Sequence, residues 1–281
     1  MQRETAASFI ATVWREGRRL YRDLPWRNLD DSYAILTSEI MLQQTQVSRV
    51  LGYWERWMLA FPTVDALASA SLSDVLERWQ GLGYHRRALA FKRAAEICSR
   101  RFRGQIPREY QELLGLPGVG PATAAGVCVF AYGEPQVYLE TNVRTVFLHH
   151  FFEGREQVSD SEIIPLVEAT CDNDDPRNWY YALLDYGSHL KSIMLNPSRR
   201  SRHHVRQSPF EGSLRQKRAE LLRLILARPN SDTEALAAAL NHLERLAGRG
   251  ATDAAEIEAI LATLEQEGFL TRRGDTWRIR G

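Results

Sequence analysis

Leu116-Pro117-Gly118-Val119-Gly120, running on into Pro121-Ala122-Thr123-Ala124, decides the fold. It reads as a helix, a tight glycine hairpin and a second helix. Such a hairpin aims consecutive backbone N–H groups at the N-terminus of the following helix, where they can hold a phosphate oxygen. Some eighty residues upstream stands Ser38-Glu39-Ile40-Met41-Leu42-Gln43-Gln44-Thr45-Gln46-Val47. This stretch puts one carboxylate into an apolar helix beside a row of glutamines. Together the two point to a protein that grips a nucleic-acid backbone and performs acid–base chemistry next to it.

Outward from these stretches the pattern is helical. Ile35, Leu36, Ile40, Val47, Val50, Leu51, Trp54 and Trp57 recur at three- and four-residue steps, predicting one helix or two in sequence over 33–57. Further helices are expected over 64–70, 73–80, 88–102, 110–115, 122–132, 141–152, 161–170 and 179–188. Breaks at Phe61-Pro62, 81–83, 104–107 and 117–120 separate them. Beyond Pro197 the chain turns polar and basic, then resumes helical periodicity over 214–228, 233–247 and 254–267, with Thr252-Asp253 capping the last. It ends in an alternating segment, 269–280, around a Gly274-Asp275 turn, which predicts a β-hairpin. The expected architecture is mainly α: a two-lobed helical core over 1–200, a basic linker over 201–212, and a winged-helix-like module over 213–281.

Composition bounds the function. Of 281 residues, 44% are hydrophobic and 25% charged, which suits a soluble globular chain. Arg3, Glu4, Arg15, Glu16, Arg18 and Arg19 make the first twenty residues neither a leader nor a membrane span. Cys98, Cys128 and Cys171 are far apart and odd in number, so no disulfide framework and no metal site is expected, and a reducing cytoplasm is the natural home. Net charge is only +1, but Arg199, Arg200, Arg202, His203, His204, Arg206 and Arg215 gather between Lys191 and Lys217. That run predicts phosphate contact, as does the smaller cluster Arg100, Arg101 and Arg103.

The residues also carry a family likeness. Arg22-Asp23-Leu24-Pro25-Trp26-Arg27, the Ser38 stretch, Trp79-Gln80-Gly81-Leu82-Gly83-Tyr84, Arg87-Ala88 and the Leu116 hairpin stand in the order and spacing of the helix-hairpin-helix (HhH-GPD) DNA glycosylase superfamily. Within it the chain most resembles the adenine-excising MutY branch. The likeness covers about two-thirds of the chain and stops before the C-terminal module. It implies cleavage of the bond between a flipped base and its sugar, with Glu39 as the proton donor. A purine leaves readily once a carboxylic acid protonates its ring nitrogen, and the cationic sugar then needs a second carboxylate. Burial in an apolar helix would raise the Glu39 pKa, as an acid working near neutrality requires.

The likeness further implies Glu140 as the second carboxylate, in Leu139-Glu140-Thr141-Asn142-Val143-Arg144, with Asn142 orienting it. The family has Asp there; Glu reaches roughly 1.5 Å further, so the pocket is expected to be shifted. Ala122 stands where lyase-competent relatives carry a nucleophilic Lys, which implies a monofunctional, water-dependent enzyme. Arg22, Trp26, Ala122 and Tyr181 are the expected base-pocket residues. Gln43, Gln44, Tyr84 and His85 are the expected wedges into the duplex. Leu116, Gly118, Val119, Gly120, Arg144, Arg199 and Arg200 are the expected DNA contacts. No cysteines occur between Asp185 and Ser208, so no iron–sulfur cluster is expected there. A monovalent cation at the hairpin carbonyls stays open. The expected partner is double-stranded DNA carrying a mismatch or lesion, no membrane is involved, and the C-terminal module binds either DNA or a protein. The reading is adenine removal opposite guanine or 8-oxoguanine. The alternatives are another damaged or mismatched base, or a DNA-structure binder without catalysis.

Overall fold

A computed structural model describes residues 6–204 and 209–281. Arg3 and Glu4 of the charged N-terminus and Arg206 of the basic run lie outside the described residues. In chain order the helices are α1 (Ala6–Leu20), α2 (Ser32–Leu42), α3 (Val47–Ala60), α4 (Val64–Ser69), α5 (Leu72–Trp79) and α6 (Arg86–Phe102). Then come α7 (Tyr110–Leu114), α8 (Pro121–Tyr132), α9 (Thr141–Phe151), α10 (Asp160–Thr170), α11 (Pro176–Ile193) and a 3-10 turn at Pro197–Arg200. The C-terminal part runs α12 (Leu214–Ala227), β1 (Ser231–Asp232), α13 (Thr233–Leu246), α14 (Ala254–Glu267), β2 (Leu270–Arg273) and β3 (Thr276–Ile279). The protein is mainly α, and the helices expected from periodicity are present within a few residues of their predicted ends. The 33–57 stretch is two helices, broken where Gln44 takes a left-handed φ of 55°. Helix α1 went unread because its charges dominate the sequence, although Phe9, Val13 and Gly17 form a buried stripe at four-residue steps. Among the described residues no helix is long and apolar enough to cross a membrane.

The helices fall into two compact units that cut across the chain. One comprises Met1–Gln43 and Gln105–Arg206; the other comprises Gln44–Gly104 and Gln207–Gly281. The 213–281 segment therefore groups with α3–α6.

In the first unit, α2 and α8 are apolar on every face, and each is buried nearly all round, which only an interior helix can be. They pack against each other, while α11 packs between α1 and α9. The carboxylate of Asp31 starts α2 by accepting from the N–H of Tyr33 at 2.9 Å and of Ala34 at 3.2 Å. The 21–28 segment is bolted to α11 through Asp185. Arg27 grips Asp185 with two bonds of 2.7 and 2.9 Å, and Arg22 adds one of 2.5 Å. The Arg27 and Asp185 side chains are 2% and 1% exposed, so each charge depends on the other.

In the second unit, Trp57 is the hub of an aromatic cluster with Phe61, Trp79 and Phe91, at centroid distances of 4.9, 5.3 and 5.7 Å. The C-terminal segment has the order of a winged helix: an antiparallel sheet β1-β3-β2 closes over three helices. Its buried Trp277 donates its indole N–H to the Thr233 hydroxyl at 2.9 Å. Glu267, at the end of α14, takes bonds from Arg86 of α6 and, at 2.6 Å, from Arg218 of α12.

Asp185→Ala would leave the buried Arg27 guanidinium without its counter-charge, with the Arg22 carbonyl as its remaining hydrogen-bond acceptor. We expect a loss of about 3–5 kcal/mol in urea unfolding, with Arg27→Met/Asp185→Leu losing much less because no orphan charge remains. A single variant as stable as the double would refute the bolt.

Candidate active site

Glu39 is the one acidic residue in α2. Helix α8 makes room for it at Gly126, where an added Cβ would stand 2.3 Å from Glu39 Oε2. The carboxyl is only partly open to solvent, and the buried Tyr138 donates its hydroxyl to Glu39 Oε2 at 3.3 Å. Loss of water around the charged form, and next the nearby Glu140 carboxylate, push the Glu39 carboxyl up to about 8, against the opposing pull of the Tyr138 hydroxyl. Glu39 thus carries its proton at neutral pH, as a general acid must.

Glu140 is the N-cap of α9. Its backbone is extended, and its Oε1 turns back to accept from the N–H of Asn142 at 2.5 Å and of Val143 at 3.2 Å. Caps are usually short side chains; here the extra methylene of Glu is taken up in reaching its own helix. The positive end of α9 favours the negative charge there. Asn142 holds this carboxylate with its backbone amide, and its carbonyl is pressed against Gly187 of α11, where a Cβ would stand 2.1 Å away. The α9–α11 contact therefore fixes where Glu140 sits.

The hairpin takes the expected form. Gly118 has a φ of 80°, Val119 donates its N–H to the Leu116 carbonyl at 3.1 Å, and Pro121 opens α8 after Gly120. Leu116 and Val119 are buried side chains that anchor the loop, so their part in any contact is through the backbone. Gln43 is a strut: its amide donates to the Gly118 carbonyl at 3.2 Å and to the Thr123 hydroxyl at 3.0 Å, tying the end of α2 to the hairpin.

Other expected residues are placed as follows. Ala122 is half-buried in the first turn of α8. Arg22 is bonded to Asp185 and so is part of the bolt, and Trp26 is buried. Tyr181 has both ring faces occupied, by Arg27 at 4.4 Å and by Phe130 stacked at 4.8 Å, so it cannot stack on a base. Arg144 is spent on Asp160 in a two-bond pair of 2.8 Å each. Arg200 clasps the C-terminal carbonyls of α9, Phe152 at 2.8 Å and Leu148 at 2.9 Å, whereas Arg199 is exposed. In the second unit Gln44 is exposed, and Tyr84 accepts a 2.7 Å bond from Arg215 of α12. Burial, then the charges of Arg218 and Arg87, lower the His85 pKa to about 4, so it is neutral at physiological pH and no cationic phosphate contact. Gln44, Arg49, Gln80, Tyr84, Phe210 and Arg215 line one groove.

Sequence reasoning missed Tyr138, Gly126 and Asp185. Tyr138 lies in a coil before Glu140 with no periodicity to mark it. The other two matter only through partners distant in sequence.

The Glu39 pKa ties stability to pH. The folded value, about 8, lies above the 4.5 expected of an unfolded Glu, so the native state binds this proton more tightly. The stabilisation is complete below the unfolded value and is lost as pH rises through the folded one. Glu39→Gln cannot ionise, and we expect it to melt several degrees above the unaltered protein at about pH 9, with the gap closing toward about pH 4.5. Parallel melting curves across that range would show that burial does not hold the proton.

A family model, HhH-GPD superfamily base excision DNA repair protein, matches residues 37–164. The chain is 45% identical over 130 residues to the adenine DNA glycosylase of Mycobacterium tuberculosis, covering 46% of this chain and 43% of that one. Against the adenine DNA glycosylase of Buchnera aphidicola it is 32% identical over 180 residues, covering 63% and 50%. The chain spans about half the length of the curated relatives it matches. Among solved structures, a thermostable thymine-DNA glycosylase superposes with a TM-score of 0.61 at 22% identity, over 68% of this chain and 90% of that one. The Helicobacter pylori 3-methyladenine DNA glycosylase gives 0.55 at 15%, over 67% and 98%. These two likenesses speak to the fold alone. The segment that the family model matches carries Glu39, the hairpin and Glu140, so it is over residues 37–164 that the chain is similar to the HhH-GPD superfamily of base excision DNA repair proteins.

Proposed function

We propose that the protein is a monofunctional DNA glycosylase that hydrolyses the N-glycosidic bond of a flipped base, adenine mispaired with guanine or 8-oxoguanine. The observation that carries this reading is the carboxyl pair: a protonated Glu39 within electrostatic reach of a Glu140 pinned at a helix N-terminus. Identity to adenine DNA glycosylases supports the choice of base.

In the reaction Glu39 gives its proton to a ring nitrogen of the flipped base as the base–sugar bond breaks, the bonding pair leaving with the base. Glu140 faces the resulting sugar cation, and water adds to that carbon, its proton restoring the Glu39 acid. The hairpin N–H groups and the groove beside Tyr84 are proposed contacts for the DNA strands, with Arg49 and Arg199 as further cations. The module over 213–281 is read as a DNA contact through α12, whose Arg215 lines that groove. A cytoplasmic place of work is part of the same proposal, resting on three dispersed cysteines with no disulfide framework.

The iron–sulfur cluster that the superfamily suggests does not fit this chain. It needs four thiolates, and the chain has three cysteines, one in α6, one in α8 and one just after α10. Burial lifts the Cys98 and Cys128 thiols to about 11, away from the thiolate form that binds iron. A monovalent cation at the hairpin carbonyls is carried as part of the same proposal.

Single-turnover excision on labelled duplexes tests the reading, with adenine opposite 8-oxoguanine, guanine and cytosine, and with thymine, uracil and hypoxanthine lesions. We expect adenine release from the first two, strands that break only after heat and alkali, and no borohydride-trapped adduct. Glu39→Gln should lose about 10²–10⁴-fold in rate while still binding duplex. Release of a different base would replace the adenine assignment, and no release from any duplex would favour a binding protein. A trapped adduct that disappears in Lys191→Gln would overturn the monofunctional reading. Lys191 is the amine to test because burial lowers its pKa and it feels the Glu140 charge.

A further inference from the structure

We propose that Tyr138 is a positioning residue for the proton donor: its hydroxyl holds Oε2 of Glu39 and so presents the acid proton on Oε1. The proposal rests on the glycosylase reading above.

The geometry is built from three sides. Tyr138 is 5% exposed, and its ring is fixed edge-on by Phe130 at 5.2 Å and by Tyr180 at 5.5 Å. Its backbone is fixed as well: the Tyr138 N–H donates to the Tyr180 hydroxyl at 3.2 Å, and that hydroxyl donates to the Gln136 carbonyl at 2.7 Å. Gly126 is the floor common to both groups, since a Cβ there would stand 2.3 Å from Glu39 Oε2 and 3.0 Å from the Tyr138 ring. A rigid ring thus delivers one hydroxyl to one oxygen of a carboxyl that α2 otherwise leaves among apolar side chains.

The chemistry follows from donor and acceptor roles. Burial and the carboxylates of Glu39 and Glu140 hold the Tyr138 phenol well above its usual pKa, so it remains a donor throughout. An oxygen that accepts this bond is the carbonyl-type oxygen of the protonated Glu39, which leaves the proton on the other oxygen. As that proton moves to the base, the electron pair of the O–H bond stays on the carboxyl and negative charge grows. The bond from Tyr138 is then charge-assisted and shortens from its resting 3.3 Å. An interaction that strengthens toward the transition state accelerates the step.

The ionisable groups facing Glu39 are few. Glu140 at the N-cap of α9 raises its pKa, Tyr138 lowers it, and Tyr181 of α11 lies within electrostatic reach; α8 brings Gly126. Of these Tyr138 is the group that stabilises the ionised carboxylate.

The experiment is the pH dependence of the single-turnover excision rate for the unaltered protein, Tyr138→Phe and Glu39→Gln. Melting curves confirm that each variant folds. We expect Tyr138→Phe to lower the plateau about ten- to a hundredfold and to move the alkaline limb to higher pH, because loss of the donor raises the Glu39 pKa. An unmoved limb with a lowered plateau would assign Tyr138 to packing alone, and an unchanged profile would remove it from the mechanism; either overturns the proposal. Should Tyr138→Phe melt early, Tyr180→Phe, which frees the Tyr138 backbone but keeps its hydroxyl, gives the control: it must leave the limb in place. If the unaltered protein excises nothing, the glycosylase reading fails. If it excises and Tyr138→Phe matches it, only the positioning role fails.

Discussion

The packing of α2 against α8 is the constraint on which the rest depends. Both helices are apolar round their whole circumference, so neither has a polar face to turn toward water. A carboxyl on such a helix ends up beside protein whichever way it points. Residues 124–126 of α8 are Ala-Ala-Gly, and the absence of a side chain at Gly126 is what lets Glu39 lie down without a clash. The desolvation that makes Glu39 an acid near neutrality is therefore a by-product of close helix packing, and it costs stability whenever the proton is lost.

What the sequence disclosed was local. A glycine hairpin is legible because Gly118 and Pro121 each favour one backbone geometry, and Glu39 is legible because a charge in an apolar run breaks a pattern. Helix spans followed from periodicity, and the terminal hairpin from alternation about Gly274-Asp275. What remained hidden depended on residues that meet only in space. Nothing within a few residues of Tyr138 says that it reaches Glu39, ninety-nine positions away. Asp185, buried and bidentate to Arg27, reads in sequence as an ordinary acid of a surface helix. The curl of Glu140 onto its own helix could have been suspected from its place before Thr141-Asn142, yet a cap of that length is unusual enough that spacing alone argues for a displaced carboxylate instead.

Basic residues illustrate a second limit. A count of arginines near a presumed binding face overstates the charge available to phosphate, because many guanidinium groups are structural. Arg144 is consumed by Asp160, Arg200 by two carbonyls of α9, and Arg86 and Arg218 by Glu267. The Arg200 clasp does what a cap does: it satisfies carbonyls that the last turn of a helix leaves without partners. It also holds the chain after α11 against α9.

Acid and carboxylate chemistry of this kind is indifferent to which base is released; any purine whose ring nitrogen accepts a proton would serve. Selectivity must come from the walls, and here the walls differ from what the family pattern suggests. Ala122 offers neither a nucleophile nor a hydrogen bond. Tyr181 is closed off by Arg27 and Phe130, and Tyr138 occupies the space between α2 and α8. On the proposed reading, a base pocket walled by these residues offers few polar groups to read a base edge, and its rings fix its shape. Discrimination by shape between bases of similar size is weak, about 10–200-fold for a single methylene. If the proposed function holds, strong selectivity requires that the base arrive already selected, by the ease with which a mispaired or damaged nucleotide leaves the stack and by contacts to the strand that stays behind.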